Sequence, residues 1–180
     1  MIKMGYEIVE KGKARLGKGP YEIREVQANA VVILRPTTKA AKTASETGVA
    51  VINLPPTDPI SVDDAVEQTV ARYLERTGED PDNIEAVLIG GVFKDNRLMD
   101  DGILVYDMHD LAARYALESL AVRGLRTTTV PSHERSTKMV RVEPNGDFEY
   151  DEEFRGFNDQ EAQMSYDDYF MKIGRHRCCD

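Results

Sequence analysis

Thiol chemistry has almost no footing in this 180-residue chain. Its two cysteines, Cys178 and Cys179, stand side by side next to the last residue. Neighbouring cysteines rarely bridge each other, because disulfide geometry is demanding, and from this position they staple nothing. A thiol-free body fits a reducing compartment. The longest apolar runs fall far short of the ~20 residues of a membrane span. The stretch Met1 to Glu7 has no apolar signal core, so a cytoplasmic protein is expected. Basic residues are also in deficit: 23 Lys and Arg stand against 32 Asp and Glu, a net charge of −9. That balance argues against nucleic acid, whose phosphates need a basic face, and against an anionic membrane surface. There is no G-x-G-x-x-G and no G-K-[ST], so a nucleotide reading is weak. No internal repeat and no low-complexity segment is visible.

Charged residues make up 31% and apolar residues 41%, the balance of an ordinary globular protein. The length suits one domain, or one domain with a tail. Tyr6–Val9 reads as a short strand, followed by a Gly/Lys-rich loop to Lys18. Tyr21–Val26 alternates like a half-buried strand. Ala30–Leu34 and Gly48–Leu54 are buried strands, the second stopped by Pro55-Pro56. Arg35 to Thr47, polar and rich in Thr, Lys and Ala, reads as a loop. Ser61 and Asp64 give an S-x-x-D helix start. Val62, Ala65, Val66, Val70, Tyr73 and Leu74 follow at helical spacing, and Gly78 ends the helix. Ile84–Ile89 is a strand running into Gly90-Gly91, and Ile103–Tyr106 a short apolar run. A second helix, capped by Asp107, carries Met108, Leu111, Ala112, Tyr115, Ala116 and Leu120, and ends at Gly124. Leu125–Val130, Met139–Val142 and Phe148–Tyr150 read as strands, with Asn145-Gly146 turning the last pair.

This order predicts an α/β domain over residues 1–153, a mixed β-sheet packed with two main helices in two or three layers. Residues 154–180 form a polar tail carrying Phe157, Met164, Tyr166, Tyr169, Phe170, Met171 and Ile173. Such a tail packs back on its own domain or joins partners, including a second copy of the chain.

Several constellations bear weighing. Asp107, His109 and Asp110 are neighbours on one helix turn and do not converge on a metal; acidic residues there suit the helix dipole. His176 with Cys178 and Cys179 lacks the C-x-x-C spacing of a zinc site. No metal and no cofactor is expected. Ser132-His133-Glu134 sets a hydroxyl, an imidazole and a carboxylate in a row, although triads converge in space rather than along the chain. Gly90-Gly91 suits a tight strand exit that needs positive φ, or a close backbone approach by a ligand.

The order of motifs resembles the CheD family, the chemoreceptor glutamine deamidases of bacterial and archaeal chemotaxis. The matching stretches are Gln27–Val32, Gly48–Pro55, Ile89–Val92, Leu111–Tyr115, Arg123–Arg126 and Val140–Gly146. The resemblance implies a deamidase fold and a receptor or signalling protein as partner. In that family a cysteine attacks a glutamine carboxamide, and a histidine activates the thiol and protonates the departing ammonia. Here the cysteine position falls on Ala30, or on Asn29 with a slip of one residue. The histidine position falls on Asn53, and the family's supporting hydroxyl residue on Arg24. A methyl group cannot attack, and a carboxamide cannot shuttle protons near neutral pH. The resemblance therefore implies a degenerate active site that binds a protein or small ligand near Asn29, Asn53, Gly90 and Gly91. Two other readings stay open. One is an amidohydrolase with a displaced nucleophile, Ser132, Thr43 or Thr47, with His133 as base. The other is an assembly protein that oligomerises through its tail.

Overall fold

The computed structural model describes residues 5–26, 29–55, 57–90, 98–100, 103–105, 111–130 and 136–154. In chain order these form β1 (Glu7–Ile8), β2 (Ala14–Gly17), β3 (Tyr21–Val26), β4 (Ala30–Pro36), α1 (Ala44–Thr47), β5 (Val49–Leu54) and α2 (Pro59–Thr77). A 3₁₀ turn at Pro81–Asn83 leads into β6 (Ile84–Ile89), β7 (Leu98–Asp100) and β8 (Ile103–Val105). The series ends with α3 (Leu111–Val122), β9 (Arg126–Val130), β10 (Ser136–Val142) and β11 (Phe148–Phe154).

A five-stranded mixed sheet runs in the order β2-β5-β4-β6-β9, a four-stranded mixed sheet in the order β1-β3-β10-β11, and β7 pairs with β8. The α/β class and the helix-covered mixed sheet agree with the sequence pattern. The strands divide between two main sheets, which makes the layers helix, sheet and sheet.

The apolar runs explain this division. Along β4, Ala30, Val32 and Leu34 join one core with Val62, Val66, Val70 and Tyr73 of α2 and Ala112, Ala116 and Leu120 of α3. Val31 and Ile33 point the other way, into a second core with Tyr21 and Ile23 of β3 and Val140 and Val142 of β10. β5 and β6 split in the same way, with Ala50, Ile52, Leu54, Ala86 and Leu88 toward the helices and Val49, Val51, Val87 and Ile89 toward the second sheet. A strand covered on both faces is apolar throughout, which is why these read as continuous runs. The four-stranded sheet is covered on one face, so β3 alternates.

Three expectations need correction. First, α2 starts a turn before Ser61. Asp58 is its N-cap, accepting from Ser61 N at 2.9 Å, and Pro59 opens the helix. Proline suits that position because the first helical N–H lacks an intrahelical partner anyway. Gly78 ends the helix in the left-handed region as expected, at φ 69°. Second, the Gly/Lys-rich stretch before Lys18 contains β2, paired antiparallel with β5. Third, the expected loop from Arg35 to Thr47 is shorter: Arg35 and Pro36 extend β4, and Ala44–Thr47 is a helical turn capped by Thr43. The Asn145-Gly146 turn joins β10 to β11 as read from the sequence, with Gly146 at φ 89°. Gln27, the Asp107 cap, His109 and the aromatic tail lie outside the described residues. Among the described residues no helix is long and apolar enough to cross a membrane.

Candidate functional site

Asn53 interrupts an inward face that is otherwise apolar. It lies opposite Val31 in the β4–β5 register and shares the face turned toward the second sheet. Its side chain is 2% exposed. An amide buried there is costly unless its groups are bonded. Asn29, 4% exposed, donates from Nδ2 to Asn53 Oδ1 at 2.9 Å. Asn53 Nδ2 in turn donates to the Val9 carbonyl at 3.0 Å. The backbone of the same segment closes over the strand end: Gly12 N donates to Asn53 O at 2.8 Å, and Asn53 N to Lys13 O at 3.0 Å.

Ala30 does not meet Asn53. It pairs with Leu54 and its methyl group lies in the helix-side core. Side chains alternate along a strand, so a one-residue shift moves the group to the other face. The side chain brought to Asn53 is that of Asn29, the alternative register.

Gly90 holds Asn29 in place from behind. Its φ is 133°, and a Cβ built there would stand 2.8 Å from the Asn29 carbonyl oxygen. The residue therefore serves a tight strand exit against Asn29, with its N–H on Val130 O at 3.2 Å. Gly91, Ser132 and His133 lie outside the described residues. Thr43 caps α1, and the buried Thr47 donates its hydroxyl to Thr43 O at 3.0 Å.

Arg24 reaches the site through an irregularity. Val140 pairs with Ile23 and Lys138 with Val26, so Arg24 and Glu25 together oppose Met139. Such a bulge bends its strand and re-aims side chains. Arg24 Nε donates to Glu22, whose other oxygen accepts from Arg141 Nε at 2.8 Å. Glu22 is 3% exposed. The bonds from Arg24 and then Arg141 hold its carboxyl below the ordinary glutamate range, and Glu22 raises Arg141 in return. The Arg141 guanidinium sits 5.1 Å from the Tyr6 ring centroid, and the Tyr6 hydroxyl donates to Glu143.

Ile8, Val9, Glu10, Lys11, Arg24 and Asn53 line a cleft of about 480 Å³. Asn53 forms the buried polar floor, the exposed Ile8 an apolar wall, and Arg24, Lys11 and Glu10 supply charge. Among the described residues the lining holds no thiol, hydroxyl or imidazole; it offers hydrogen bonds and charge. Arg24 and both asparagines are legible in the sequence. Ile8 to Lys11 are not, because only the fold lays that segment across the end of β5. Alternation along Tyr21–Val26 already put Glu22 and Arg24 on one face, but their partner Arg141 is distant in the chain.

Elsewhere, the carboxylates of Asp63, Asp64 and Glu67 on α2 lie close together. Asp63 is engaged by Ser119 Oγ at 2.6 Å and Arg123 Nη1 at 2.8 Å, which ties α2 to α3.

No protein-family model and no curated protein matches the chain. Among solved structures, it is similar to the Bacillus licheniformis hypothetical protein YfiH, at 11% identity and a TM-score of 0.43, over 65% of this chain and 49% of that one. The chain thus spans about half the length of that protein.

Proposed function

We propose that the protein is a CheD-like α/β domain without deamidase activity, which binds a ligand in the cleft floored by Asn53. The reading takes residues 1–153 as the domain and 154–180 as its tail. One observation carries it: two carboxamides, Asn29 and Asn53, hydrogen-bond at 2.9 Å where the motif order of that family would set a thiol beside an imidazole. The pair sets two polar groups face to face where β4 begins and β5 ends, with Asn53 lining the cleft. Its chemistry is not that of a thiol and an imidazole. A neutral amide neither forms a thiolate nor carries a proton to departing ammonia. What it can do is present fixed donors and acceptors, and a bonded, buried amide loses little freedom when a ligand arrives.

The test is ammonia release from glutamine-bearing receptor peptides. The expected result is a rate equal to the peptide alone. Turnover abolished by Ser132→Ala or His133→Ala overturns the proposal in favour of a displaced-nucleophile hydrolase. A second measurement concerns assembly. A chain cut after Phe154 that keeps the mass of the full chain argues against oligomerisation through the tail; loss of an oligomer supports it.

A further inference from the structure

Resting on the reading of this cleft as a binding site, we infer that it takes an organic monocarboxylate with an aliphatic body, held by Arg24 above the Asn53 amide. Arg24 is the most specific group in the lining. Its Nε is committed to Glu22, a carboxylate that is itself buried and gripped from the far side by Arg141. That bond holds the Arg24 side chain, itself 63% exposed, at the mouth of the cleft, next to the bulge at Arg24–Glu25. A guanidinium anchored through Nε keeps its terminal N–H groups for a planar anion, and carboxylate matches that fork. Prior anchoring lowers the entropy lost on binding.

The charge of the lining selects one negative charge. Arg24, Lys11 and Glu10 together carry +1. A monoanion neutralises the cleft; a dianion meets Glu10 without a further cation among the lining residues. Ile8, 36% exposed, provides an apolar wall for an alkyl chain. The volume of about 480 Å³ lies within the usual range for small-ligand sites of roughly 300–1,000 Å³.

The experiment uses the full chain, labelled with ¹⁵N, and hexanoate as probe, with hexanamide and adipate as comparators. The expected result is saturable movement of the Arg24 Nε–H and Asn53 side-chain signals with hexanoate. Hexanamide and Arg24→Gln each weaken binding by about tenfold or more, the loss of a charge-assisted pair. Lys11→Met, on the exposed loop, weakens it a few-fold and keeps the test usable should Arg24→Gln fold poorly. No saturable response to hexanoate, equal binding of hexanamide, tighter binding of adipate, or full binding by Arg24→Gln overturns the inference; should Arg24→Gln fail to fold, full binding by Lys11→Met does so. Ammonia release from glutamine peptides, by contrast, overturns the non-catalytic reading and leaves carboxylate binding standing.

Discussion

Replacing Asn53 by leucine isolates the energetics of the carboxamide pair. Leucine has the same branched shape and is larger, so the substitution removes hydrogen bonds without opening a cavity. Two partners are stranded: Asn29 Nδ2, which donated at 2.9 Å, and the Val9 carbonyl, which accepted at 3.0 Å. Each orphaned buried group costs about 1–3 kcal/mol. Burying the leucine side chain returns about 1.5–3 kcal/mol. The net loss expected is about 1–3 kcal/mol. Asn29→Leu strands only Asn53 Oδ1 among these atoms and should cost less. The double variant strands neither side chain, so its destabilisation should fall short of the summed single effects by the two orphan costs, about 2–3 kcal/mol, at the upper end of the range for contacting residues. Urea unfolding of the four proteins, with equal slopes required before energies are compared, measures this coupling. Strict additivity would refute the reasoning, because it would mean that the two amides do not act on each other in the folded state.

Gly90→Ala should destabilise by about 1–3 kcal/mol, since alanine resists φ 133° and its methyl group meets the Asn29 carbonyl. The Asn53 side-chain NMR signals should move in that variant, and unmoved signals would disconnect Gly90 from the site. Tyr73→Phe should cost about 1 kcal/mol in urea unfolding, because the buried hydroxyl bonds Gly48 O at 2.8 Å; an unchanged midpoint would deny that bond. Asp58→Ala should lower the melting temperature at neutral pH. The Asp58 carboxyl is lowered from 3.8 to about 2 by the Ser61 N–H and hydroxyl. A depressed folded value means its stabilisation is complete above 3.8 and disappears as pH falls toward 2. The wild-type advantage should therefore shrink across that window, and a constant advantage would exclude the carboxylate as the cap. Glu22→Gln should flatten part of the acid limb below the ordinary glutamate range, as its carboxyl is also depressed.

The legible parts of the fold share a physical cause. β4, β5 and β6 are covered on both faces, so their side chains are apolar at almost every step and visible without context. α2 is legible in its stripe but not in its start, because Asp58-Pro59 is a stronger opening than Ser61 with Asp64. β2 is illegible for the opposite reason. Ala14–Gly17 has no strong strand pattern, and its extended form comes from pairing with β5. The division into two sheets is also hidden from local pattern. It depends on β3 pairing with β10 rather than with β4, a choice between distant partners.

The site shows the same limit at finer scale. Motif spacing points to two neighbouring strands and narrows the facing residue to Ala30 or Asn29. Choosing between them needs the pleat, because one residue decides which core receives the side chain. The amide at position 53 also leaves two explanations for itself. A buried polar pair can be retained because it fixes the pairing of β4 with β5, or because it meets a ligand. The first requires only that Asn29 and Asn53 bond each other. The second requires that Asn53 also respond to what enters the cleft beside Arg24. The double variant, Asn29→Leu with Asn53→Leu, separates these requirements. If the amides serve register alone, it folds less uniquely and hexanoate binds it as tightly as wild type, through Arg24. If they serve the ligand, it keeps its fold and loses affinity. Comparing its unfolding slope with its hexanoate titration measures both in one protein.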